Sequence, residues 1–462
     1  MTESAGTSDR SMEFCDFCIE LVRLMAAPED TSSNSRITLV KHPEISCNFC
    51  RRLMEELQRQ VPDTFEPLNK SSQLISFIRS MRTWGTHTAS YVKLVVQIGY
   101  PTQTRPYIPR SSTAKYALWV DRKTESKDKQ FSGHAPILSP GIDEVRNQVR
   151  FWLNKCRSDH SNCPTNRVSN LPTRVLSLSG DLYGPTIRLM ESKGTRGEYC
   201  ALSHCWGPID KRPLRTTNQN LQQHLSDIPY KKLPQTFQES VMLVLSLGIR
   251  YLWIDSLCIL QDDRSDWQSE AKEMRNVYRN ASLVIAASGA EDSSQGLFIQ
   301  SRPHALVTKL PFDVHDETRG YLNATLIPKS GEDAPYRGVL NTRAWALQER
   351  YLARRFLAFM PGGISWACKN IKRDEFEQII DREFRETDSW ESMLESYTSL
   401  KLAFPADRLE ALRGIVAEIQ ETRTEQFDFR YGVWKDTFHQ DLLWVPGMHD
   451  SSSDLSNLPT WS

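Results

Sequence analysis

No charge excess marks this chain. Across 462 residues, 57 Lys+Arg balance 57 Asp+Glu, so the formal net charge is zero. The clustered basic surplus of a nucleic-acid footprint is missing, and no nucleic-acid partner is expected. Also missing is any window of about 18 consecutive apolar residues, so no membrane span is expected. The stretch from Met1 to Arg10 lacks the apolar segment of a secretory leader. Together these absences predict a soluble, cytoplasmic protein. There is no G-x-x-x-x-G-K-[ST] phosphate loop, no H-E-x-x-H metal motif and no internal repeat. What remains is core-forming material. The chain is 39% hydrophobic and 10% aromatic, too rich for general disorder, and long enough for two or three domains.

Three apolar runs organise the middle of the chain. They are Glu198-Tyr199-Cys200-Ala201-Leu202-Ser203-His204-Cys205-Trp206-Gly207, Arg250-Tyr251-Leu252-Trp253-Ile254-Asp255-Ser256 and Ser282-Leu283-Val284-Ile285-Ala286-Ala287-Ser288. Each has strand length and no alternating polar face, as in a strand covered on both sides. Between them lie two helical stripes. Phe237, Val241, Val244 and Leu245 follow Pro234, a good first-turn residue. Trp267, Ala271, Met274 and Tyr278 follow Asp266, read as an N-cap. Strand–helix–strand–helix–strand predicts an α/β fold with parallel pairing and right-handed crossovers. Ligands of such sheets sit beyond the carboxyl ends of the strands, where this chain places Ser203, His204, Trp206, Asp255, Cys258 and Ser288. Ser203, His204 and Trp206 either floor a pocket or form a structural turn. Asp255 either accepts ligand hydroxyls or caps the turn after it. Glu270 and Glu273 read as surface charges, with Glu270 a reserve catalytic acid. Cys205 and Cys258 are candidate nucleophiles with His204 as the base, but adjacency in sequence does not build a nucleophile–base pair.

Ten cysteines in a chain of this kind suggest thiols or metal ligands rather than disulfides. Cys15-Asp16-Phe17-Cys18 and Cys47-Asn48-Phe49-Cys50 each lead into a helical pattern. Their four thiols suffice for a closed tetrahedral zinc site; the alternative is four buried apolar cysteines at helix starts. Cys156, His160 and Cys163 offer three more ligand-type residues. Either they complete a metal site with an N-terminal cysteine or, with no local fourth ligand, they form an ordinary helix end with a turn held by Pro164.

Strands are expected at 91–98 and 116–120, with a loosely ordered connection over 101–140. Residues 171–178 and 186–190 read as a hairpin before the core. Residues 342–350 read as a helix, followed by strands at 356–360 and 362–366. A charged helical pattern starts near 370 with Phe376, Ile379, Ile380 and Phe384. The expected organisation is a cysteine-bearing helical and mixed region over 1–165, a core over 166–370 and a helical region over 371–462.

Residues 199–207 resemble the opening motif of the fungal heterokaryon incompatibility (HET) domain. Trp253 to Asp262 resembles its second block, and Arg343-Ala344-Trp345-Ala346-Leu347-Gln348-Glu349 its third. His204 stands where the family usually has tyrosine. The resemblance implies that 166–370 is a HET domain, with a core remotely similar to TIR domains and hence a TIR-like, flavodoxin-like parallel sheet. It implies an effector of regulated cell death in fungal self/non-self recognition. Several TIR domains cleave NAD with a glutamate, which makes Glu349 the catalytic carboxylate and NAD the substrate. Ser203, His204, Trp206, Asp255 and Trp345 would then form the NAD pocket. Alternatively Glu349 is a solvated helix residue paired with Arg343 or Arg350, and Trp345 a core tryptophan. A non-catalytic reading also follows: an interaction module that signals by homo-oligomerisation. In either case an unidentified protein supplies the trigger in trans.

Overall fold

The computed structural model describes residues 15–26, 36–38, 46–59, 74–80, 92–99, 111–119, 141–298, 307–313, 319–326, 338–361, 363–375, 390–402, 404, 407–421, 423–424, 426–428 and 433–437. Most of the expected connection over 101–140 and the helical pattern over 376–384 lie outside them. The chain divides into two units, Met1–Leu138 with Pro303–Lys329, and Ser139–Arg302 with Ser330–Ser462.

The smaller unit holds an antiparallel six-stranded sheet. Its order is Arg36–Thr38, Leu74–Ser80, Val92–Gly99, Ser111–Trp119, Arg319–Leu326, Val307–Asp313. The last two strands form a hairpin that arrives from far along the chain and joins by pairing Asn323 with Trp119. Two helices, Asp16–Ala26 and Asn48–Arg59, pack on this sheet. They bury Phe17, Cys18 and Leu21, and Phe49, Cys50 and Leu53, spacings that put the apolar side chains of each helix on one face.

The larger unit contains α1 (Ile142–Asp159), β1 (Arg174–Ser179), β2 (Thr186–Glu191), β3 (Tyr199–Ser203), α2 (Gln235–Ser246), β4 (Tyr251–Trp253), α3 (Arg264–Asn280), β5 (Leu283–Ala286), α4 (Ala344–Leu352), β6 (Arg355–Met360), β7 (Gly363–Cys368), β8 (Lys372–Asp374), α5 (Trp390–Thr398) and α6 (Glu410–Gln420). Its eight-stranded sheet runs β8-β7-β6-β5-β3-β4-β1-β2. Only the central β6, β5, β3 and β4 are mutually parallel. The expected parallel sheet is therefore the middle of a mixed one, extended at both sides by antiparallel hairpins. Every residue of β3, β5 and β6 is buried, because helices cover both faces.

The crossovers reverse direction around β3. The chain steps from β3 to β4 on one side, then passes back over β3 to reach β5 and β6. With right-handed connections this puts α2 on one face and α3 and α4 on the other. The contacts agree: α2 packs on α1, and α3 on α4 and α6. The carboxyl ends of β3 and β5 thus flank a topological switch point, where neighbouring connections part and leave a crevice.

Two local expectations are corrected. Helix α3 is capped by Asp263, whose side chain accepts from Ser265 N and Asp266 N. Asp266 instead accepts from Leu260 N at 2.8 Å and from Arg174 at 2.5 Å. Glu270 is not a surface charge: it is buried, 3.8 Å from the same guanidinium. A buried arginine on β1 needs carboxylates around it, and α3 turns two of its acids inward to supply them. At the C-terminal end, α5 and α6 share a core with Trp390, Tyr397, Phe427 and Trp434, which also takes in Ala344 and Leu347 of α4. No described helix is long and apolar enough to cross a membrane.

Candidate functional site

The chain leaves β3 at Ser203 and turns sharply at Gly207. That glycine has φ +74°, and a Cβ there would lie 2.6 Å from Asp292 Cβ, so both conformation and space exclude a side chain. The turn holds Trp206 against the sheet edge. On the neighbouring strand, Asp255 follows β4 and opens the helical turn Asp255–Cys258. Its carboxylate is the hub of the edge. His204 Nε2 lies 2.9 Å from Oδ1, Ser256 N donates to Oδ1 at 2.7 Å, and Trp206 Nε1 donates to Oδ2 at 2.7 Å. Burial pushes the Asp255 pKa up, but His204, Trp206 and Arg343 outweigh it and hold the group below its ordinary value.

His204 is fixed from both ends. Ser293 Oγ sits 3.0 Å from its Nδ1, and Phe237 of α2 packs edge-on at 4.9 Å. Cys205 O also lies 3.2 Å from Nδ1, so the Ser293 hydroxyl and this carbonyl share one ring nitrogen while the other faces Asp255. The order Ser293–His204–Asp255 has the form of a nucleophilic relay. However, Ser293 is 1% exposed, so its hydroxyl is sealed from any substrate and serves to orient the imidazole.

Glu349, on α4, reaches the same edge from the other face and is 7% exposed. Burial pushes its pKa up, and the Asp255 charge adds to this; the Ser203 hydroxyl, Arg343 and His204 pull the other way without prevailing. Ser203 faces the carboxyl without closing a short hydrogen bond, and Ser203 Oγ and Ser288 Oγ are buried without partners. Arg343 spans the gap by donating to the His204 carbonyl. Tyr278 of α3 donates to Leu202 O at 3.3 Å, beside Glu349. Two carboxyl groups with opposite pKa shifts therefore share one rim, one made harder to ionise by burial and one favoured in its ionised form by its partners. That is the electrostatic division needed for acid–base or cation-stabilising work.

The structure thus gathers Ser203, His204, Trp206, Asp255 and Glu349. Glu349 is not a solvated helix glutamate. Trp345, one turn before it, does not join the group: it packs against the C-terminal aromatic core and reaches Asp407. Cys205 and Cys258 are buried; burial raises both thiols, Cys258 to about 12, which removes the thiolate that a nucleophile requires. Arg343, Tyr278 and Ser293 were not foreseen as site residues. Arg343 opens the third motif and Tyr278 ends a helical stripe, so each carried a signal read for something else. Ser293 sits in a loop with none.

In the smaller unit the two CxxC pairs meet. Cys15 Sγ lies 3.3 Å from Cys50 Sγ, and Cys18 Sγ lies 3.5 Å from Cys47 Sγ and 3.6 Å from Cys50 Sγ. All four sulfurs fall within 4.8 Å of one another. A tetrahedral zinc with bonds of about 2.3 Å spaces its sulfurs by about 3.8 Å, so this donor set fits a structural zinc.

Comparison with known proteins gives one match, to the family described as heterokaryon incompatibility protein (HET), over residues 199–349. No curated protein and no solved structure matches. The match opens on the first residue of β3 and closes on Glu349, so the matched span contains Ser203, His204, Trp206, Asp255 and Glu349 of the rim just described, and over these residues the chain is similar to the heterokaryon incompatibility family.

Proposed function

We propose that this HET domain is a cytoplasmic effector of heterokaryon incompatibility that hydrolyses the nicotinamide–ribose bond of NAD. The observation that carries the reading is the convergence of Glu349 with Ser203 and Asp255 at the switch point. The spatial order of the four parallel strands, second-first-third-fourth, is that of flavodoxin-like folds and supports the TIR-like comparison. Cleavage of this bond develops positive charge at the ribose carbon. A carboxylate in a site with little water gains strength against that charge as it forms. Glu349 has this role, with Asp255 accepting a ribose hydroxyl and Trp206 packing against the ligand. The proposal extends to the zinc at Cys15, Cys18, Cys47 and Cys50, which holds its two helices together as a closed structural site.

The test is to incubate the purified full chain with NAD and follow nicotinamide release. The expected result is release by the wild type and a loss of at least about 100-fold in Glu349→Gln, which keeps shape and removes charge. No release, or release unchanged in the variant, overturns the assignment.

A further inference from the structure

The larger unit holds a second cluster of soft donors on the edge of the sheet opposite the Glu349 rim. Cys156 lies in the last turns of α1, His160 is its C-cap, and Cys163 closes the following turn by donating its N–H to His160 O at 3.2 Å. Cys368 ends β7, where it pairs with Arg355, the first residue of β6. This puts the cluster at the amino ends of the parallel strands. Here is the fourth ligand that the local Cys–His–Cys segment lacks, more than two hundred positions away.

The geometry fits a metal. His160 Nδ1 lies 3.4 Å from Cys368 Sγ and 3.9 Å from Cys163 Sγ, and all four donor atoms fall within 4.8 Å of one another. Zinc bonds of about 2.3 Å to sulfur and about 2.0 Å to nitrogen place tetrahedral S···N pairs about 3.5 Å apart. The surroundings match as well. Backbone amides of Asn370 and Ile371 are directed at the Cys368 sulfur, as outer-shell donors to a metal thiolate are.

A second observation is independent of the ligand spacing. Arg355 is 1% exposed, and its guanidinium donates to Cys156 Sγ at 3.2 Å, Pro164 O at 2.6 Å and Ser282 O at 3.3 Å. Among the described residues no carboxylate pairs with it. A buried arginine keeps its charge and needs an anion. Three thiolates and one neutral imidazole around a divalent cation carry a net charge of −1, which balances it.

We propose that Cys156, His160, Cys163 and Cys368 form a structural zinc site of the Cys3His type. It clasps the segment before the HET match to the hairpin after it, so that α1 and β7 close the amino edge of the sheet. This is a borderline-soft divalent site with no open coordination position, and it is separate from the cysteine quartet of the smaller unit.

The full chain, expressed with ample zinc and purified under reducing conditions, is measured for metal content in a Cys47→Ser/Cys50→Ser background. That background isolates the second cluster whatever the first one holds. The expected content is about one zinc per chain, lost on adding Cys368→Ser. X-ray absorption of the zinc in the double variant is expected to show three sulfurs and one nitrogen, a reading that does not require the Cys368 variant to fold. A metal-free double variant with native circular dichroism, a zinc shell of other composition, or a disulfide among the four thiols overturns the proposal.

Discussion

Glu349 is a residue whose burial is hard to justify by stability. Burial raises its pKa above the unfolded value near 4.5. Between the unfolded and folded values the folded chain holds more protons than the unfolded chain, so stability falls as pH rises through that window and stays level above it. Glu349→Gln removes this slope. The variant is expected to be more stable than wild type at neutral pH by about 1 kcal/mol and equal to it below the unfolded pKa, read as the difference in urea midpoints across pH. A glutamate that served only the fold would give the opposite sign. Asp255 is the mirror case, since its partners stabilise the ionised form. Trp206→Phe keeps the ring and removes one donor to Asp255, so the variant should lose about 1 kcal/mol at neutral pH. The loss should shrink as acid protonates Asp255, because the depressed folded pKa gives stability that is present above the unfolded pKa and disappears below the folded one.

At the scale of elements, the carboxyl edge depends on close backbone approach. Gly338 has an ordinary φ of −64°, so its conformation is open to any residue. Space is not: a Cβ there would lie 2.2 Å from Ser288 O and 2.9 Å from Met360 Sδ. Gly338→Ala should therefore cost about 2 kcal/mol, measured as a lowered thermal midpoint, by forcing apart the strand that delivers Ser288 and the turn leading into α4. The three central strands were legible because double burial leaves an unbroken apolar run, and α2 because Phe237, Val241 and Val244 keep one face. Less legible was anything decided by tertiary partners. Asp263 and Asp266 both suit an N-cap, and only the buried Arg174 settles which one is drawn away. Glu270 looks like a surface acid until the same arginine is placed. Trp345 and Glu349 lie one turn apart on α4, yet the C-terminal aromatic core, invisible in local pattern, takes the tryptophan and leaves the glutamate to the rim. The grouping of Cys156, His160 and Cys163 with Cys368 was hidden for a like reason, since Cys368 is remote in sequence and is brought close only by the β6–β7 hairpin.

The molecule as a whole does not fold in chain order. Between β5 and α4 the chain departs to complete the sheet of the smaller unit with the strands Val307–Asp313 and Arg319–Leu326, then returns to deliver Glu349. Sequence periodicity shows such strands but not which sheet receives them, because either sheet would satisfy their backbone hydrogen bonds. The cysteine quartet bears on this directly. Both helices that carry it pack on Val307–Asp313, so the hairpin is held by strand pairing on one side and by helices joined at the thiols on the other. Cys47→Ser/Cys50→Ser should loosen those helices, and amides of the hairpin should then exchange with deuterium at least about ten-fold faster. Amides of β3 and β5 belong to the other unit and should keep wild-type exchange, as should those of α4. Exchange followed by mass spectrometry separates the two arrangements. If the hairpin and β3 lose protection together, the chain unfolds as one cooperative body. If only the hairpin responds, the inserted strands have their own foldon, and Glu349 is positioned by the α3–α4–α6 packing alone.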